Sequence, residues 1–306
     1  MNLPALLVAA VMAGTPVVPD LGGYLERSSE AEFSGEQLVS CETPDGSRSS
    51  VFNLAQLEGT VVAWEPDDEV PVMSVAPGVS VTAVGDEVEA SMVEGTPVVQ
   101  SDHYTVGSTT GSSYLGRPVE EVSILRDGTE RVRLVVDHAT DAVVRTSTYD
   151  GDGSLYCDRR LLSFDTDVSD VPEVVLSSDV DTAQPIDDAP AELPESIEGF
   201  SLVDTYSLAD GTLSYYSDGF FSAGVVMTDR PIDPDSDDGM VEVEDDTGAY
   251  RRSYQAGMVS VTWLSGSGNM AVIGDLPPDL LEALLDDLPQ PTQENFFDRL
   301  WTRLFG

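Results

Sequence analysis

Residues 114–164 decide the fold: YLGRPVEEVSILRDGTERVRLVVDHATDAVVRTSTYDGDGSLYCDRRLLSF. From Tyr114 the chain runs to Leu125 and turns at Asp127-Gly128. Arg-Val-Arg-Leu-Val-Val follows, with Val132, Leu134 and Val136 on one side of a strand, because alternate residues of a strand share a face. Asp137 to Asp141 is a polar connection into Ala142–Tyr149. A second tight turn, Asp150-Gly-Asp-Gly153, leads to Leu155–Phe164. Alternating β-branched runs broken by Asp-Gly pairs are the strongest short-range hairpin signal. The stretch is an antiparallel meander of four strands that closes one domain.

The same residues carry a resemblance. Gly116-Arg117-Pro118, the run Val135 to Thr146 and the turn Tyr149 to Leu155 are similar to the RseB/MucB family. Its members are extracytoplasmic regulators of an anti-sigma factor, and their N-terminal domain resembles the lipoprotein carrier LolA. A second stretch, Tyr215 to Val225 (YYSDGFFSAGV), resembles the Tyr-Ser-Asp-Gly strand pair of that family's C-terminal domain. Ile273 to Pro278 (IGDLPP) resembles its junction with the last helix. Near the start, FSGEQLVS (Phe33–Ser40) resembles the strand after the family's first helix, although Phe33 and Glu36 depart from its usual wording. Together these cover most of Asp20 to Pro289.

Upstream of the meander, Asp20 to Glu32 reads as a helix capped by Asp20. Strands are predicted at Phe33–Cys41, Ser50–Leu57 and Val61–Trp64, with weak ones near Val79–Val84 and Val98-Val99. Tyr104–Val106 leads into a Gly/Ser/Thr loop, Gly107 to Ser113. Leu3 to Val18 is apolar but too short to span a bilayer comfortably. It reads as a signal-peptide core despite lacking a basic residue before it, so the protein is expected to be exported to the periplasm or cell envelope.

Asp165 to Pro194 has no basic residue and four prolines, the composition of a linker. A second β-rich unit begins near Ile197: Ser201–Leu208, Thr212–Ser217, Phe220–Thr228, Tyr250–Tyr254, Met258–Leu264 and Asn269–Ile273. Pro277–Leu288 reads as a helix with Leu280, Leu281, Leu284, Leu285 and Leu288 on one face. After Pro289-Gln290-Pro291, an amphipathic helix places Phe296, Phe297, Leu300, Trp301, Leu304 and Phe305 on one side, opposite Arg299 and Arg303. That helix either docks on its own domain or meets a partner or membrane surface.

The expected organisation is thus 1–18 signal peptide, 19–170 N-terminal domain, 171–194 linker, 195–289 C-terminal domain and 290–306 amphipathic helix. The fold class is β-rich α+β. By the resemblance, the N-terminal domain is a LolA-like curved antiparallel half-barrel with covering helices. A smaller antiparallel sheet packed by one helix follows.

Charge narrows the partners. The formal net charge is −42, and the 14 basic residues are all Arg. Phosphate binding needs a basic footprint, so nucleic acid is excluded as a partner. A lipid ligand, by the same sign, is held by its acyl chains or has a neutral or cationic head. The two cysteines, Cys41 and Cys157, sit in predicted strands and read either as one disulfide of an oxidising compartment or as two buried thiols that never meet.

Catalytic and metal chemistry is not legible. Of the two histidines, His103 and His138, His138 lies in a polar turn beside Asp137 and reads as an exposed turn residue in preference to a base or metal ligand. No nucleophile elbow, Walker or dinucleotide motif occurs, and no cofactor is expected. Asp233, Asp235, Asp237 and Glu244 have the spacing of a calcium loop, but Asp238 stands where such a loop needs glycine, so a solvated acidic loop is the reading. Tyr215, Tyr216, Phe220 and Phe221 cluster across one turn. Half of them should enter the core, and the others are candidates for partner or lipid contact.

The function implied by the resemblance is non-enzymatic. The protein binds the extracytoplasmic segment of a membrane-anchored anti-sigma factor and protects it from proteolysis, with lipid or a lipoprotein as the releasing signal. The alternative is a free lipid or lipoprotein carrier with a LolA-like cavity.

Overall fold

The computed structural model describes residues 21–57, 60–64, 71–76, 79–82, 103–168, 184–186, 190–208, 211–228, 241–244, 248–255, 257–266 and 268–292. The signal-peptide segment, the Asp20 cap, most of the acidic linker and the 293–306 tail lie outside them. So do Val98-Val99 and Asp233, Asp235 and Asp237.

Two open antiparallel sheets dominate. The N-terminal sheet has ten strands in the order β5-β4-β3-β2-β1-β10-β9-β8-β7-β6. They are β1 (Phe33–Thr43), β2 (Gly46–Leu57), β3 (Thr60–Trp64), β4 (Pro71–Ala76), β5 (Val79–Thr82), β6 (Tyr104–Tyr114), β7 (Arg117–Arg126), β8 (Thr129–Asp137), β9 (Val143–Tyr149) and β10 (Leu155–Leu161). The meander is β7 to β10 and forms as the turn residues dictate. Asp127 and Gly128 adopt φ of 53° and 82°, the left-handed conformation that hairpin turns need and that Asp and Gly tolerate. Among the described residues the β1–β10 ladder is the non-local one, pairing Gln37 with Leu161 and Cys41 with Cys157, and the bridge Ser34↔Asp165 extends it.

One sequence expectation is corrected here. Gly107 to Ser113 is not a loop. It pairs with β7 from Ser108↔Ser123 to Ser113↔Pro118 and completes an eleven-residue edge strand. Its low hydrophobicity misled because an edge strand with a solvated face needs none; cross-strand hydrogen bonds suffice.

Helix α1 (Leu21–Ser29) lies over one face of this sheet. The Tyr24 hydroxyl donates to Glu120 on β7, and the Gln56 amide on β2 donates to the Ser28 carbonyl. It is the one helix over this sheet among the described residues, where several were expected.

The second sheet contains β11 (Gln184–Pro185), β12 (Ser196–Ile197), β13 (Phe200–Leu208), β14 (Gly211–Ser217), β15 (Ser222–Thr228), β16 (Val241–Glu244), β17 (Ala249–Gln255), β18 (Met258–Ser265) and β19 (Gly268–Gly274). Its order is β11-β13-β14-β15-β19-β18-β17-β16, with β12 on β13. Helix α2 (Pro278–Asp287) packs Leu280, Leu281 and Leu284 inward, and Leu288 just beyond it is buried too. Proline at its start suits a position whose N–H has no partner within the helix.

One apolar cluster runs through both sheets. Val122, Ile124, Val132, Leu134 and Val136 of the N-terminal sheet join Tyr216, Phe221, Val225, Trp263, Met270 and Leu284 of the C-terminal unit. Register explains the set: Ile124 faces Val132 and Val122 faces Leu134 across the β7–β8 ladder, so their side chains share one face. A second cluster, around Phe33, Phe52, Leu54, Tyr156 and Leu161, fills the β1–β2–β10 half.

Candidate functional site

The face of the N-terminal sheet that carries Val122, Ile124, Val132 and Leu134 is therefore packed against the chain's own second sheet. What this arrangement can do depends on how the seam is held.

At one end stands Asp218, in the turn between β14 and β15. Gly219 takes φ 91°, and Asp218 Oδ1 accepts the N–H groups of Phe220 and Phe221 at 3.0 and 2.8 Å. Its Oδ2 reaches across the seam, accepting the Tyr104 hydroxyl at 2.6 Å and Arg126 Nη1 at 3.2 Å. Tyr104 and Arg126 are register partners on β6 and β7 and so point the same way. Arg126 Nη2 also donates to the Glu198 carbonyl. The Tyr104 ring lies 5.6 Å from Phe220 and 6.4 Å from Phe221. Burial, then the Asp218 carboxylate, push the Tyr104 hydroxyl far above its ordinary pKa, so it remains a donor at every physiological pH.

At the other end, Arg131 on β8 donates Nη1 and Nη2 to the two oxygens of Asp279 at 2.7 and 2.8 Å. Asp279 sits in the first turn of α2, where a carboxylate suits the helix dipole. Its N–H donates to Asp150 Oδ1 in the β9–β10 turn. Burial, then hydrogen bonding to Asp279, raise the Asp150 pKa. Burial also acts against the Asp279 anion, but Arg131 outweighs it and the net shift is downward. A Cβ on Gly151 would sit 2.7 Å from Asp279 Oδ2, so glycine is what lets the turn close on the helix.

Three more arginines cross. Arg159 Nη2 donates to the Gly257 carbonyl at 2.8 Å, Arg48 Nη1 to the Tyr254 carbonyl at 3.3 Å, and Arg252 lies 3.4 Å from Asp45. Five of the 14 arginines of a −42 chain therefore sit at the seam. Two acidic sheets repel, and these positions are where cations offset that repulsion most directly.

Arg131→Ala is expected to lower stability by about 2 kcal/mol, the scale of losing hydrogen bonds to a charged group. Arg131→Lys should recover little, because an ammonium cannot span both carboxylate oxygens. Urea titration of both variants checks this. Wild-type stability in the alanine variant would mean that apolar packing alone holds the seam.

The aromatic set divides. Tyr216 and Phe221 are fully buried, and the Tyr216 hydroxyl donates to the Pro194 carbonyl, its pKa pushed by burial up to about 12. Tyr215 and Phe220 are partly buried. Phe220 and Phe221 belong to the turn and not to β15, which starts at Ser222; the Asp218 carboxylate captures their N–H groups before the ladder can. Phe220 finds its neighbour in Tyr104 of the same chain. Cys41 and Cys157 lie opposite each other in the β1–β10 ladder and are joined by a disulfide. Phe296, Phe297, Leu300, Trp301, Leu304 and Phe305 lie outside the described residues. His138 is exposed.

Sequence reading missed Tyr104, Arg126, Arg131, Asp150, Asp218 and Asp279 as a set. The only local trace was an Asp at each Asp-Gly turn, which reads equally well as turn chemistry.

No family model and no curated protein matches this chain. Solved structures do. The MucA/MucB complex of Pseudomonas aeruginosa is similar over 90% of this chain and 100% of the matched chain, at 16% identity and a TM-score of 0.51. MucB in complex with MucA(peri) covers the same shares at 16% identity and a TM-score of 0.49. A LolA superfamily protein from Nitrosomonas europaea covers 85% of this chain and 96% of its own, at 10% identity and a TM-score of 0.22. The fold is MucB-like: a ten-stranded open sheet followed by a second antiparallel sheet and a packing helix.

Proposed function

We propose that this chain is a non-enzymatic, extracytoplasmic binding protein that captures the extracytoplasmic segment of a membrane-anchored anti-sigma factor and shields it from proteolysis. The observation that carries the reading is the likeness of 90% of this chain to the whole length of a chain solved in the MucA/MucB complex. The Cys41–Cys157 disulfide supports an oxidising compartment. No helix among the described residues is long and apolar enough to cross a membrane, so a tether would come from the partner or from outside them.

Lipid or a lipoprotein acts in this reading as the releasing signal. An acyl chain competes for the face made by Val122, Ile124, Val132 and Leu134, which the C-terminal sheet covers. Lipid entry then requires the seam to part, and that is how occupancy would reach the bound partner. The carrier alternative needs the face open to cargo throughout, which the shared core disfavours.

The test is a crosslinked pull-down from native membranes with the full chain as bait, paired with mass spectrometry of co-purifying lipid. Recovery of a single-span anti-sigma factor, reduced by added lipid, is the expected result. Stoichiometric lipid with no membrane protein would establish the carrier instead.

A further inference from the structure

Strand β6 ends the N-terminal sheet, and among the described residues nothing pairs with its outer side. Residues 107–113 are all exposed. The strand reads YTVGSTTGSSY, eleven residues without one charge or proline, in a chain that is 23% charged. Natural edge strands are blunted by charge, proline, brevity or a cover, because open N–H and C=O groups template pairing. A bulge between Val106 and Ser108 twists the start of β6, but the run from Ser108 to Tyr114 pairs regularly, holds no charge or proline, and has no cover among the described residues.

Register identifies the open groups. Leu115-Gly116 is a two-residue loop with both φ positive (50° and 74°), closed by the pair Tyr114↔Arg117. Alternation from that pair turns Tyr114, Ser112 and Thr110 toward β7 and leaves the N–H and C=O of Thr109, Gly111 and Ser113 on the open side. Leu115 adds a second sign. A leucine in the left-handed conformation is strained where Asn or Gly would be at ease, and this one is 44% exposed at the end of the free edge.

Charge selects the occupant. Gly111 faces Glu120 and Thr110 faces Glu121, and both glutamates are partly exposed on opposite faces of the sheet. A strand added to β6 lies about 10 Å from them, two strand spacings away. Gly111 has no side chain to screen Glu120. A second copy of the chain would bring another −42 to the edge and is opposed by repulsion. We infer that the open edge of β6 binds, by strand addition, an extended segment of a partner protein that carries Arg or Lys at its centre. Leu115 meets an apolar residue at the segment's end. Main-chain pairing supplies affinity, and the glutamates supply sign selection. The inference goes beyond the proposed function and holds whichever protein supplies the segment.

The test uses a fluorescein-labelled twelve-residue peptide of alternating Thr and Val with two central Arg. Its counterparts carry Glu in place of Arg, or N-methyl groups on alternate amides. Anisotropy at physiological salt should show binding of the first peptide at least tenfold tighter than of either counterpart. Gly111→Pro should weaken binding tenfold or more. The Gly111 N–H faces outward and a Cβ there meets open space, so the variant keeps its β7 ladder; an unchanged melting temperature verifies this. Leu115→Asn should weaken binding while raising the melting temperature, a split that a purely structural role cannot give. Hydrogen exchange should slow at Thr109, Gly111 and Ser113. The inference is overturned by absence of binding, by equal binding of the N-methylated peptide or of the Gly111→Pro protein (bulk electrostatics only), or by protection elsewhere than β6.

Discussion

Replacing Cys41 and Cys157 together by serine is expected to lower the unfolding free energy by about 4 kcal/mol. The disulfide joins residues 116 apart in sequence, and in the chain-entropy account a closed loop of that length restrains the unfolded ensemble by about 4–5 kcal/mol. The position sharpens the expectation. Cys41 and Cys157 are direct partners in the β1–β10 ladder, the strand pairing that joins β1–β5 to β6–β10 among the described residues. The serine variant should therefore loosen unevenly. Amide exchange in β1 and β2 should accelerate before that in β7 to β9. Urea titration gives the magnitude and exchange gives the order. A loss below about 1 kcal/mol, or uniform acceleration, would show that β1 is held by its apolar contacts and not by the crosslink.

Asp137→Ala is expected to cost about 3 kcal/mol. The carboxylate is fully buried, and Arg117 Nε and Nη2 each donate to it at 2.9 Å. Its Oδ2 also accepts the N–H groups of Ala139 and Thr140 and the Thr140 hydroxyl, and so shapes the β8–β9 turn. Truncation strands three backbone and side-chain donors and one guanidinium. Breaking a buried ion pair costs about 3–5 kcal/mol, and because Arg117 keeps 34% of its side chain in water the lower end applies. The pH dependence follows. Hydrogen bonding from Arg117 holds the Asp137 pKa below its ordinary value against the opposing pull of burial. The folded state thus binds this proton less tightly than the unfolded chain. The stabilisation is complete above the ordinary carboxylate pKa and is lost as pH falls through the lower, folded value. Asp137→Asn should flatten the acid limb of the stability profile as well as lower its plateau. An acid limb identical to wild type would assign acid unfolding to other carboxylates.

Turn chemistry and strand alternation were legible in residues 114–164 because both are local. An Asp-Gly pair sets its own backbone conformation, and Val132, Leu134 and Val136 share a face whatever they later pack against. The leucines of α2 are the same case at the helical period. Tyr216 and Phe221 entered the core, as half of their cluster was expected to, although the reason lay partly in a turn that replaced the start of a strand. Asp137 was read as part of a polar connection, since its partner Arg117, 20 residues upstream on the neighbouring strand, is what marks it as buried.

What the sequence determined by itself is the β7–β10 meander with its Asp-Gly turns, the strands β13–β15 and β17–β19, the leucine face of α2, and a net charge of −42. Only the tertiary structure decided that the two sheets share one core, that β6 is a strand with an open edge, and that Arg131 meets Asp279. The contacts across the seam of Arg126 with Asp218, Arg131 with Asp279 and Arg252 with Asp45 join residues from 92 to 207 positions apart. Two Asp residues at similar Asp-Gly turns look alike in sequence, and the three-dimensional path alone brings Asp218 to Tyr104 and Asp150 to Asp279. Local interactions fix each element over a few residues, whereas the partner of a buried charge is set by how finished elements stack.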